Sequence, residues 1–331
     1  MDLSFAIIGC GLIGRKRALC LSPGQVAVAC DTNIDRANAL ANSLPGEVTV
    51  TTSADEAIAN QKVNAVVLAT VNRSLAELAK IAIEAGRPVL IEKPAATSTA
   101  QLDELIRLAE RKRLPVRVGY NHRFHPAFRM ARELVAGTNV GPLMFIRGRY
   151  GHGGRLGYEK EWRADPELAG GGELIDQGVH LIDLARWFLG NFTKAQGHVA
   201  TYYWQMAVED NAFVDLRTTD GKTAWLHASC TEWKNLFSFE IFCRHAKLHI
   251  EGLGGSYGTE RLTYYQMRPE LGPPDTTIWE FPRPDESWRL EMEAFTDDIR
   301  LGRTPVPGLV DARAALRVVE QIYEQSRDSN S

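Results

Sequence analysis

Asp176 and His180 stand four residues apart in GGGELIDQGVHLID, residues 170–183. An imidazole exchanges a proton near neutral pH, and a carboxylate can orient either that imidazole or a substrate hydroxyl. At 100° per residue the pair shares a helical stripe with Asp183 and Trp187. Leu174, Leu181, Ala185 and Phe188 lie roughly opposite, as a core face. Three glycines before the segment permit close approach by another backbone or by a ligand. The stripe fits three uses: an acid–base pair, a metal site with Asp176, His180 and Asp183 as ligands, or a solvated surface.

A second group could hold phosphates. Gly9-Cys10-Gly11-Leu12-Ile13-Gly14 follows an apolar run and opens a helical pattern. In such a turn the first glycine makes the bend, the second admits a pyrophosphate and the third lets the helix pack on the strand. The N–H groups of Leu12 and Ile13 would then face the phosphates. Asp31 ends the next apolar run, about 20 residues on, where a carboxylate accepts from both ribose hydroxyls and repels a 2′-phosphate. The spacing favours NAD. Arg15, Lys16 and Arg36 keep NADP open, and a plain turn with Asp31 capping the next helix is the alternative.

Glu92-Lys93-Pro94 follows the fifth apolar run. Ligands of an open parallel sheet lie beyond the carboxyl ends of its strands, which puts Glu92 and Lys93 at the nicotinamide end. An ammonium there can polarise a carbonyl or stabilise an alkoxide, and a cis Lys93–Pro94 bond would aim it inward. A solvated lysine paired with Glu92 competes with this reading.

These residues need elements to hold them. Strands are expected at 3–9, 25–31, 64–70, 87–92 and 114–120, with helices at 12–21, 33–43, 53–60, 72–85 and 98–113. The strands are almost wholly apolar, and the alternation predicts an α/β domain with a doubly wound parallel sheet over residues 1–120. Residues 121–331 have another rhythm. A helix at about 173–189 precedes alternating runs at 193–204, 211–218, 222–230, 236–243 and 246–250, then helices near 286–301 and 309–327. That predicts an α+β domain with a mostly antiparallel sheet.

Bulk properties narrow the class. The 331 residues carry a net charge of −3 and no apolar run of membrane length, so neither nucleic acid nor a membrane is expected as a partner. The start, MDLSFAIIGCG, lacks a basic region, so no secretory signal is expected. Five cysteines without a C-x-x-C predict free buried thiols and a cytoplasmic protein.

With GCGLIG (9–14), AGRPVLIEKPAA (85–96), GYNHRFHPAF (119–128), GGGELIDQGVHLIDLARWFLG (170–190) and ALRVVEQIYEQS (315–326), the chain resembles the glucose–fructose oxidoreductase, inositol dehydrogenase and rhizopine-catabolism (Gfo/Idh/MocA) family of NAD(P)-dependent oxidoreductases. The resemblance runs nearly end to end. It implies a Rossmann domain, then a domain whose large open sheet mediates assembly, here a homodimer or homotetramer. It also implies that Lys93, Asp176 and His180 form the catalytic group. Hydride transfer to nicotinamide needs no metal when Lys93 can act as the electrophile, so no metal is expected. His180 would take a hydroxyl proton as hydride passes to NAD. Thr70 and Asn72 match positions near the nicotinamide, although this chain has Val71 and Leu75 where the family often has proline and histidine. Asn121 and Arg123 are expected to touch substrate, with His122 and His125 structural.

Residues 147–163, RGRYGHGGRLGYEKEWR, read as a mobile loop over the site. Tyr150, His152 and Trp162 could cover a sugar face, and Arg163 could bind an anionic group such as a nucleotide-sugar diphosphate. The expected activity is a dehydrogenase acting on a secondary hydroxyl of a sugar, sugar derivative or cyclitol. An NAD-dependent glycosidase using transient oxidation would show net hydrolysis without net NADH. A non-catalytic dinucleotide sensor would oxidise no polyol.

Overall fold

The computed structural model describes residues 3–328. Its first part alternates strand and helix. The strands are β1 (Phe5–Ile8), β2 (Val26–Cys30), β3 (Thr49–Thr51), β4 (Ala65–Leu68), β5 (Val89–Glu92) and β6 (Val116–Gly119). Between them run α1 (Leu12–Leu19), α2 (Ile34–Asn42), α3 (Ala54–Ala59), α4 (Asn72–Glu84) and α5 (Thr99–Lys112). Next come α6 (Pro126–Ala136), β7 (Leu143–Gly151), the single turn α7 (Pro166–Ala169), a π-helical turn (Leu174–Gly178) and α8 (Val179–Leu189). Seven strands follow: β8 (Phe192–Ala200), β9 (Asn211–Thr218), β10 (Thr223–Ser229), β11 (Leu236–Cys243), β12 (Ala246–Glu251), β13 (Glu260–Gln266) and β14 (Asp275–Phe281). The last helices are α9 (Ser287–Leu301) and α10 (Leu309–Asp328).

Two compact units result. The first extends to Tyr120 and takes in Trp288–Arg313; the second comprises Asn121–Ser287 and the chain from Ala314. The first is a parallel sheet of order β3-β2-β1-β4-β5-β6, whose direction of growth reverses between β1 and β4. Every residue of β1, β2, β4, β5 and β6 is buried, as covering both faces requires. Ser98 starts α5 with a capping box: its hydroxyl accepts from the Gln101 N–H, and the Gln101 side chain accepts from the Ser98 N–H. Although distant in sequence, α9 belongs here by contact. Its Met292 and Phe295 join the core of Phe5, Ile7 and Leu40, with the Phe5 and Phe295 rings 6.4 Å apart.

The second unit is an eight-stranded sheet of order β14-β13-β12-β11-β7-β10-β9-β8. All neighbours pair antiparallel except β7 and β10, which run parallel. On β7, Ile146, Gly148 and Tyr150 are buried, while Phe145, Arg147 and Arg149 face outward. The buried face meets α6 and α8, where Phe128 packs 5.3 Å from Phe239 and 6.5 Å from Phe188.

Two expectations need correction here. Residues 147–151 are the end of β7, paired to β10 and β11, rather than the start of a loop. Three glycines of that segment also serve packing. A Cβ would stand 2.4 Å from the Ser229 carbonyl at Gly151, 2.9 Å from Trp233 backbone at Gly153, and 2.3 Å from the Trp204 indole at Gly154. The helix predicted at 173–189 begins with a π turn, so a uniform 100° wheel does not describe Asp176 and His180 together.

Candidate functional site

The glycine turn has the shape its spacing predicts. Gly9 has φ +93°, and a Cβ there would stand 2.4 Å from the Ala69 carbonyl at the end of β4. At Gly14 a Cβ would overlap the Gly9 carbonyl at 1.8 Å, which fixes how closely α1 meets the turn. Gly11 has nothing within 4 Å of a Cβ, and α1 begins with no side-chain cap. No side-chain cap therefore takes the first N–H groups of α1, as an incoming pyrophosphate needs.

Asp31 accepts from the Cys10 N–H at 2.8 Å and the Asn33 N–H at 2.9 Å. Its carboxylate is thus fixed against the glycine turn. The cap of α2 is Asn33, which accepts from the Asp35 N–H. These residues fit a dinucleotide. At the ends of β4 and β5 stand the other expected contacts. Thr70 accepts from the Ser74 hydroxyl at 2.9 Å, and Asn72 opens α4 and is buried. Lys93 is half-buried and precedes a cis peptide bond to Pro94. Glu92 pairs with Arg17, whose Nε donates to it at 2.7 Å.

In the second unit, Asp176 and His180 are both buried. Asp176 sits in the π turn and accepts from Arg163 Nε at 3.0 Å. Arg163 in turn lies 4.6 Å from the Trp162 ring. The arginine expected to read an anion is therefore already paired with a carboxylate. His180 stacks on His122, ring centroids 3.9 Å apart, and Tyr150 stands edge-on to it at 6.2 Å. His122 also touches Phe237 and His125, and His125 pairs with Glu260 at 2.8 Å. Arg123 grips both oxygens of Asp183 at 2.5 and 2.7 Å, so this buried pair braces α8. Asp183 is consequently not an open ligand beside His180. Asn121 donates to the Ser287 hydroxyl at 2.9 Å.

Sequence reasoning missed the residues that support this group. Glu173 is fully enclosed, accepts from the Tyr158 hydroxyl at 2.9 Å and lies 3.6 Å from His152 Nε2. Burial and the nearby charge of Asp176 push its carboxyl up to about 8, against hydrogen bonds from Tyr158 and Cys230. Burial likewise lowers the His152 imidazole. The glycine run serves Glu209. Gly172 and Leu174 N–H groups donate to its carboxylate at 2.9 and 3.0 Å, and the Tyr323 hydroxyl donates at 2.7 Å. A Cβ on Gly172 would stand 2.0 Å from the Glu209 carbonyl. The glycines thus admit another backbone. An acid placed between a glycine run and an apolar helix, as Glu173 is, was the available signal.

Comparison with known proteins adds to this geometry. Residues 3–120 match the profile described as oxidoreductase family, NAD-binding Rossmann fold, and residues 128–249 match the GFO/IDH/MocA C-terminal domain. The first unit is accordingly an NAD-binding Rossmann domain. Inositol 2-dehydrogenase 2 of Saccharopolyspora erythraea is 29% identical over 229 residues, covering 67% of this chain and 65%, under two thirds, of that protein. The D-xylose 1-dehydrogenase (NADP(+)) 2 of Haloferax volcanii is 25% identical over 98% of this chain and 97% of its own. A solved levoglucosan dehydrogenase in complex with NADH superposes with a TM-score of 0.87 at 21% identity, covering 99% of this chain and 98% of that one.

Proposed function

Because the chain belongs to the Gfo/Idh/MocA family of oxidoreductases, we propose that it is an NAD-preferring dehydrogenase acting on a secondary hydroxyl of a sugar, sugar derivative or cyclitol. The observation that carries this reading is an NAD-binding unit whose fifth strand is followed directly by Lys93, in a chain that also buries Asp176 in a π turn and His180 on the helix it leads into. Gly9, Gly11, Leu12, Ile13 and Gly14 would hold the pyrophosphate, with Asp31 at the adenosine ribose. Bound NAD supplies the hydride acceptor. His180 takes the hydroxyl proton, Lys93 stabilises the negative charge that develops on that oxygen, and Asp176 orients the hydroxyl or the imidazole. In the reverse direction protonated His180 donates to a carbonyl.

The fixed carboxylate of Asp31 supports NAD over NADP. Arg163 shares its charge with Asp176, which supports an uncharged polyol over a sugar nucleotide. The five cysteines, none of them in a disulfide, support a cytoplasmic location. We also place a homodimer or homotetramer contact on the outward face of the eight-stranded sheet, where Phe145 and Trp225 are 40% and 43% exposed.

The test is a screen of polyols, uronates and sugar nucleotides with NAD⁺ and NADP⁺, following absorbance of the reduced cofactor. We expect turnover of at least one neutral polyol, faster with NAD⁺. Lys93→Ala and His180→Ala should keep NADH affinity and lose about 100-fold or more in kcat. Near-normal rates in both would remove the mechanism. Tighter binding of a sugar nucleotide than of its free sugar, lost in Arg163→Ala, would restore an anionic substrate.

A further inference from the structure

Arg17 lies in α1, three residues past the last glycine of the nucleotide turn, and is fully buried. Its Nε donates to Glu92 Oε1 at 2.7 Å. Its Nη2 lies 2.6 Å from that oxygen and 2.7 Å from Glu291 Oε2 on α9. The guanidinium is 4.5 Å from the Trp288 ring. Gly119 at the end of β6 leaves the room: a Cβ there would stand 2.8 Å from Arg17 Nη2 and 2.9 Å from Glu92 Oε2. Four elements, α1, β5, β6 and α9, therefore meet on one cation inside the first unit. A buried cation persists only when paired and hydrogen-bonded, and a guanidinium can hold two carboxylates at once where an ammonium is a point charge.

Glu92 is the last residue of β5, and Lys93 is the next. The Ala95 N–H returns to the Glu92 carbonyl at 2.9 Å, so the chain carrying Lys93 leaves the sheet from a pinned point. We propose that Arg17, braced by Glu291, is a positioning residue that sets where Lys93 stands relative to the nucleotide turn. The proposal rests on the dehydrogenase reading for what Lys93 does, not for how it is held. It reassigns Glu92 from cofactor contact to anchor. Burial holds the Glu291 carboxyl at about 7, against the pull of Arg17; Glu92 on β5 adds to the rise and Arg117 on β6 opposes it. Its neutral form is therefore accessible, and Glu291→Gln is expected to fold.

The experiment compares wild type, Arg17→Lys and Glu291→Gln. It measures kcat and KM for the best polyol of the screen, NADH affinity by fluorescence, and amide hydrogen exchange across residues 92–96. Arg17→Lys keeps the charge and loses the fork. It should lower kcat about tenfold or more, leave polyol KM and NADH affinity within about threefold, and speed exchange at 92–96 well beyond the rest of the first unit. Glu291→Gln should do the same to a smaller degree, and it decides the matter by the same readouts if Arg17→Lys does not fold. Unchanged kcat with only a lower melting temperature, or exchange that rises evenly through the unit, would overturn the proposal. If wild type turns over no polyol, the dehydrogenase reading fails, and exchange at 92–96 alone decides whether Arg17 positions this segment.

Discussion

At the scale of single residues, Glu173 holds a carboxyl where water does not reach, and its raised pKa has a consequence for stability. The folded value is about 8, whereas an unfolded glutamate titrates near 4.3. Between those values the folded chain keeps a proton that the unfolded chain has lost. Stability from this group is thus fully present below the unfolded value and lost as pH rises toward 8. Melting temperature should fall from pH 5.5 to 8.5 more steeply in wild type than in Glu173→Gln. At pH 8.5 the variant should melt about 3 °C or more higher. Parallel curves would show that Glu173 is not the titrating group. Glu291 contributes in the same direction to both proteins and cancels from the comparison.

At the scale of elements, the start of the helix bearing His180 depends on Gly172. The Cβ of Gly172→Ala would meet Glu209 backbone, which cannot rotate away as a side chain could. The substitution should cost about 1–3 kcal/mol in urea unfolding and reduce turnover, because Asp176 and His180 follow within the same helix. A stability change below that range would mean that the Glu209 segment yields. The parallel strands β1, β2, β4, β5 and β6 were legible in the sequence because both of their faces are buried and their residues are almost wholly apolar. β3 was not, since Thr49–Thr51 is a three-residue edge with little burial. β14 was hidden because most of its residues are exposed. The nucleotide turn was legible because steric rules act on neighbours in sequence, as Gly9 and Gly14 show. Arg17 was not, because an arginine closing the basic run Arg15-Lys16-Arg17 reads as a surface charge, and its two carboxylates lie 75 and 274 positions away. The π turn escaped because nothing in the period of GELIDQGVH marks a change in hydrogen-bond register.

At the scale of the whole molecule, the outward sheet face bears on assembly. Phe145 stacks on Phe242 at 4.2 Å, and Trp225 stands opposite Arg147 on the next strand. A charge at the centre of this face should disfavour self-association without touching the buried layer. Trp225→Glu is expected to shift the protein to a smaller species in light scattering, with NADH affinity retained. An unchanged mass would move the contact elsewhere.

The placement of α9 has a consequence for how the chain comes into being. Phe295 and Met292 fill the core around Phe5, and Glu291 and Asp298 supply partners for Arg17 and Arg117. The unit synthesised earliest is thus completed by a helix synthesised near the end. A nascent chain must carry an unsealed apolar gap and two cations without these carboxylates while the ribosome makes all fourteen strands. Cutting the gene after Tyr120 would reproduce that immature state rather than release an autonomous cofactor-binding fragment.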